Sequence, residues 1–140
     1  MGSNADVGGW TVKIVALIAR ILLGLMFVVF GLNGFLHFIP QPAMPPSDMT
    51  TFATVLMTTH YMVPVFVLQV VGGLLLLIGR FVPLGLLLLG PVIVNILLTH
   101  IFMNPSGIGP GALAAVLWFV LFFAYRKYFT SVFTANATPV

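Results

Sequence analysis

Six polar side chains interrupt otherwise apolar stretches of this 140-residue chain: Arg20, Asn33, His37, Gln69, Asn95 and His100, with His60 at the edge of another stretch. Hydrocarbon penalises each of them, so in a bilayer such groups turn toward a bundle interior or a wet cavity. Asn33 and His37 are four residues apart and share one side of a helix. Gln69 lies about 13 Å along a helix from His60, and Asn95 about 12 Å from the Met103 end of its own run, at a rise of about 1.5 Å per residue. The shared depth predicts a polar pocket in one half of the membrane, walled by Phe30, Phe66 and Trp118. A mostly apolar cavity with a few donors and acceptors suits a quinone, another flat amphiphile or part of a lipid. The competing reading is that Asn33, Gln69 and Asn95 hydrogen-bond one another and tie helices together, at about 0.6 kcal/mol per interaction.

His37, His60 and His100 fall on the same predicted side and raise a metal reading. They belong to three separate helices, with no HxxxH or HExxH spacing. Proton handling is the softer form of the same idea, because histidine titrates near neutrality. A haem held between facing histidines is the weakest variant. Arg20 sits in the other half of its helix, in register with Lys13, Gly24 and Gly31, and no Asp or Glu occurs in any apolar run. It either snorkels toward headgroups or anchors an anionic group or neighbouring helix.

Other chemistries are excluded by the inventory. With no cysteine there is no disulfide, thiolate or thiolate-ligated cluster. The chain carries no GxGxxG, P-loop or paired carboxylate, and its few serines lie outside a nucleophile-elbow context. Nucleotide binding and acid/base hydrolysis therefore have no basis, and a redox enzyme built on this chain would need a bound cofactor or a partner subunit. The net charge of +3 comes from scattered residues, with no basic run longer than Arg126-Lys127. That is no surface for a nucleic-acid backbone.

The elements that must position these residues follow from hydropathy. Apolar residues make up 61% of the chain and charged ones 5%, against about 25% charged in a soluble domain. A span needs about 20 mainly apolar residues. The chain reads as a single all-α transmembrane domain over 1–140, an up-down-up-down four-helix bundle with spans at about 11–38, 60–79, 82–103 and 111–129. Pro40, Pro42, Pro45 and Pro46 end the first helix, and residues 47–59 read as a short interfacial helix capped by Ser47. Gly90-Pro91 predicts a bend in the third span, and the tail after Phe133 reads as loose. The first apolar run continues to Phe38 with no Ala-x-Ala exit, the pattern of a retained span and not a cleaved signal. Gly24, Gly31, Gly72 and Gly73 are helix-packing residues, since small residues let membrane helices approach closely.

Every lysine and arginine falls on the side of the termini and the Arg80 turn, and none in the 39–59 or 104–111 connections. The positive-inside rule then places both termini in the cytoplasm. Trp10, Tyr125 and Tyr128 suit the inner aromatic belt and Tyr61 the outer one. Asn136-Ala137-Thr138 matches a glycosylation sequon that a cytoplasmic tail would never present to the enzyme.

The stretch from Arg20 through Gly24, Phe27, Gly31, Asn33 and Gly34 to Phe35 resembles the first-helix signature of the DoxX-like membrane proteins. The stretch from Gln69 through Gly72 and Gly73 to Gly79-Arg80 resembles their second-helix signature. The resemblance implies a small protein of the bacterial inner membrane. It also implies kinship with members that look like a membrane subunit of a thiosulfate:quinone oxidoreductase. Where relatives commonly carry a glutamate, this chain has Gln69, which removes an expected counterion for Arg20.

The expectation is a bilayer protein binding a hydrophobic or quinone-like molecule through Arg20, Asn33, His37, Gln69 and Asn95, alongside a redox subunit or a second copy of itself. A noncatalytic structural or assembly subunit is the main alternative. A small transporter is the third, and it would require oligomerisation because four helices leave little room for alternating access.

Overall fold

The computed structural model describes residues 4–140. It is all-α, with five α-helices: α1 (Asn4–Leu36), α2 (Asp48–Thr58), α3 (Met62–Ile78), α4 (Val82–Met103) and α5 (Gly109–Ala124). Short 3₁₀ turns follow at Pro105–Gly107, Arg126–Tyr128 and Thr130–Phe133.

Two helical stretches, Val7–Leu36 and Val82–Met103, are long and apolar enough to cross a membrane unaided. α2 and α3 meet at a bend of 87° and would count as one broken span only if taken together, while α5 is a shorter apolar helix. α1 starts at Asn4, well before the expected Thr11. Its 33 residues make a rod of about 50 Å, longer than the hydrocarbon core of about 30 Å, so one end must stand outside or the helix must tilt. α4 runs without a break through Pro91, although the proline removes one helical hydrogen bond.

The ends of the helices are locally determined. Ser47 caps α2 through a capping box in which its side chain accepts from the Thr50 N–H and Thr50 Oγ1 accepts from the Ser47 N–H. Pro64 sits in the first turn of α3, where its missing N–H has no partner to lose. α3 closes on Gly79 with φ 70°, a left-handed conformation that glycine adopts without strain. Arg126 Nη1 donates to the Phe123 carbonyl at 2.8 Å and satisfies the end of α5.

The apolar core draws on α1, α3, α4 and α5 and extends through Val92 and Ile93 to Ala114. Ala16, Ala19, Leu23 and Phe27 meet Leu76, Leu86, Leu89, Leu121 and Phe129 there. α2 buries none of its residues. Trp118 of α5 reaches 2.9 Å to the Leu86 carbonyl of α4 and stacks on Phe122 with centroids 5.2 Å apart.

Candidate functional site

α1 and α3 come together because both lack side chains where their backbones cross. A Cβ on Gly24 would lie 2.9 Å from the Gly73 carbonyl oxygen, and one on Gly73 would lie 2.8 Å from that of Gly24. Seven residues on, Gly31 receives Val70 and Gln69, and beyond it Gly34 lies under the Phe66 ring. The contacts climb α1 while descending α3, so the two helices are antiparallel. Gly72 faces the other way, toward Leu89 and the Gly85 carbonyl of α4. All four expected packing glycines are therefore in close contact with a neighbouring helix.

The α1–α3 seam buries two polar residues. Asn33 is 9% exposed and Gln69 7%. Asn33 Oδ1 accepts the backbone N–H of Ile39 at 2.7 Å, which folds the chain back over the end of α1. Gln69 makes no hydrogen bond to any described residue, although its Cβ sits only 3.0 Å from the position a Cβ on Gly31 would take. The amide atoms themselves are not enclosed, so its up to four hydrogen-bonding sites remain open to a partner from outside the described residues. Phe66 packs edge-on against Phe35 at 5.6 Å and covers the seam beside it.

The other expected pocket residues lie elsewhere. Asn95 is exposed, and its Nδ2 donates to the Pro91 carbonyl of its own helix at 2.9 Å. His37 is exposed and holds a left-handed backbone with φ 51°, ending α1. Phe30 is 48% exposed and Trp118 is committed to α4, so neither walls the Gln69 position.

The metal reading is corrected by the same geometry. Among the described residues no group of three or more His, Asp or Glu side chains comes together. His60 sits exposed in the α2–α3 bend with φ 60°. His100 places Nδ1 2.9 Å from the Ile96 carbonyl of its own helix, with its ring against Gly107. Each histidine ends or braces a different piece of backbone, which is why shared sidedness did not become a shared centre.

Arg20 takes a position that hydropathy could not reveal. Its guanidinium lies over Gly79, where a Cβ would be 2.6 Å from Nη1 and 2.8 Å from Cζ. Arg20 Nε is buried and has no hydrogen-bond partner. Gly79 is ten residues beyond Gln69, about 15 Å along α3. A carboxylate at position 69 would therefore not reach this guanidinium, and the expectation that the missing glutamate deprived Arg20 of its counterion is withdrawn on distance alone.

Surface grooves lie away from the seam. One of about 420 Å³ lies along α2 and the loop before it, lined by Met44, Pro46, Thr50, Thr51, Thr54 and Val55. Another, about 250 Å³, runs between α1 and α5 past Ala16, Phe123 and Arg126. Neither includes Asn33 or Gln69.

The DoxX family model matches residues 15–102, more than half of the chain. The chain belongs to the DoxX family. The matched interval contains Arg20, Gly24, Gly31, Asn33, Gln69, Gly72, Gly73 and Gly79, so the whole α1–α3 seam of this DoxX protein lies within the family region. α5, with Trp118, lies beyond it. No curated protein and no solved structure matches the chain. Membership and the two long apolar helices together make this DoxX protein an integral membrane protein.

Proposed function

We propose that α1, α3, α4 and α5 form an up-down-up-down four-helix bundle in the bacterial inner membrane, and that the α1–α3 seam holds the polar end of a hydrophobic, quinone-like molecule at Gln69. Antiparallel contacts support the bundle. Gly24 meets Gly73 while Gly34 meets Phe66, Gly72 meets Leu89 while Gly85 meets Leu76, and Gly111 meets Ile96 while Trp118 reaches Leu86. Lys13, Arg80, Arg126 and Lys127 then share one face, which the positive-inside rule assigns to the cytoplasm together with both termini. α2, with no buried residue, lies on the outer surface.

The observation that carries the ligand reading is Gln69, a residue 7% exposed whose amide makes no hydrogen bond to any described residue and is not sealed off from outside. An intramembrane amide needs a partner, and a carbonyl-bearing amphiphile entering from the lipid supplies one. The family kinship described for the sequence supports a redox setting, in which this chain would serve as the membrane subunit beside a catalytic partner.

The second reading, a noncatalytic structural or assembly subunit, is favoured by Asn33 and Asn95, whose side chains both serve nearby backbone. Mass spectrometry of small molecules retained after mild extraction separates the two. Gln69→Leu should lose the amphiphile held by wild type and keep the helical circular dichroism signal. Equal occupancy in the two proteins would leave the structural reading standing.

A further inference from the structure

We propose that Arg20 and the α3–α4 turn form a binding site for one phosphate group, on the opposite half of the seam from Gln69 and independent of it. The guanidinium makes no hydrogen bond to any described residue, and its Nε is buried. The two acidic residues of the chain, Asp6 and Asp48, lie outside the apolar runs. A buried Nε without a partner is unfavourable, and the terminal nitrogens, which are not enclosed, leave a planar fork of N–H donors for an outside acceptor.

The floor of the site is shaped for the side chain. Gly79 adopts φ 70°, and any Cβ there would fall 2.6 to 2.9 Å from three guanidinium atoms. Glycine is thus required twice over, by backbone conformation and by the arginine lying across it. The next two residues are Arg80, which is exposed and adds positive charge, and Phe81, which is 71% exposed in a left-handed conformation with φ 56°.

Depth selects the ligand. α3 has 17 residues and a length of about 26 Å, close to the hydrocarbon thickness, so its C-terminal turn lies at the level of the headgroups. A residue in mid-helix by sequence is delivered to that boundary because α1 side chains slant toward the N-terminus. Guanidinium groups bind phosphate oxygens in pairs, with geometry that lysine lacks. The phosphate comes either from an anionic phospholipid or from solution.

The test uses the full chain. Native mass spectrometry of mildly extracted wild type should show a retained phospholipid or phosphate adduct. Arg20→Gln should carry about ten-fold less, and Arg20→Lys should fall between, since charge persists without the fork. Gly79→Ala should also lose the adduct by displacing the guanidinium, and Arg20→Lys keeps the test decisive if that variant does not fold. Gln69→Leu should leave the adduct unchanged. Delipidated wild type is then melted with inorganic phosphate, in phosphatidylglycerol bicelles and in phosphatidylcholine bicelles. A rise in Tm with phosphatidylglycerol that Arg20→Gln lacks identifies a lipid site, and the same Arg20-dependent rise with inorganic phosphate identifies a soluble ion. Equal adducts in wild type and Arg20→Gln, or no Arg20-dependent rise in Tm with either probe, would overturn the proposal.

Discussion

Gly24 and Gly73 face each other so closely that a methyl group added to either would press on the carbonyl oxygen of the other, at 2.9 and 2.8 Å. A carbonyl cannot step aside as a flexible side chain can, so the contact sets the distance between α1 and α3. In lipid there is little hydrophobic incentive for helices to associate, and close backbone approach supplies van der Waals contact instead.

The first prediction follows from that contact. Gly73→Ala should destabilise the protein by about 1–3 kcal/mol through forced separation of α1 and α3. Gly8→Ala is the matched control, because a Cβ there meets nothing within 4 Å. Thermal unfolding in one detergent should show a lower Tm for Gly73→Ala and an unchanged or higher one for Gly8→Ala.

The Asn33 bond to Ile39 predicts a local effect. Asn33→Ala should cost about 1 kcal/mol and release the chain that leaves α1. Hydrogen exchange should accelerate at Ile39 and its neighbours while the α3–α4 helices keep wild-type protection. Uniform acceleration across the protein would instead place Asn33 in the global fold.

Trp118 links α5 to α4 through its indole N–H and its stacked neighbour Phe122. Trp118→Phe removes the hydrogen bond together with the part of the indole that lies beside Gly90, and should cost about 1 kcal/mol. Trp118→Ala also empties the space beside Gly90 and should cost several-fold more, about 3 kcal/mol. Chemical denaturation of the two variants gives the comparison.

α2 buries nothing, so its helicity depends on its cap. Ser47→Ala removes the acceptor for the Thr50 N–H and should weaken α2 by about 1 kcal/mol. Proteolysis should rise within 48–58, with little change in Tm for the rest of the chain.

The parts of the reading that rested on one-dimensional physics agree with the structure. Ser47 before Asp48-Met49-Thr50 is a helix start that needs only its neighbours. Paired small residues in apolar helices announce close crossings, and Gly24, Gly31, Gly72 and Gly73 all make them. Shared depth was the weaker signal. It placed Asn33, Gln69 and Asn95 at one level, but a helix presents a different face every residue, and Asn95 turned away. The histidines failed for a related reason, since each sits at its own helix end, where chain geometry leads to a different corner.

Sequence alone determined that this polypeptide belongs in hydrocarbon, because 61% apolar and 5% charged residues leave too little polar surface to meet water. It also determined which side chains would be out of place there. Tertiary structure decided which of those became neighbours: it buried Gln69 against Gly31 and laid Arg20 across Gly79. Those pairings join residues 38 and 59 positions apart, and only the crossing of α1 on α3 brings them into contact.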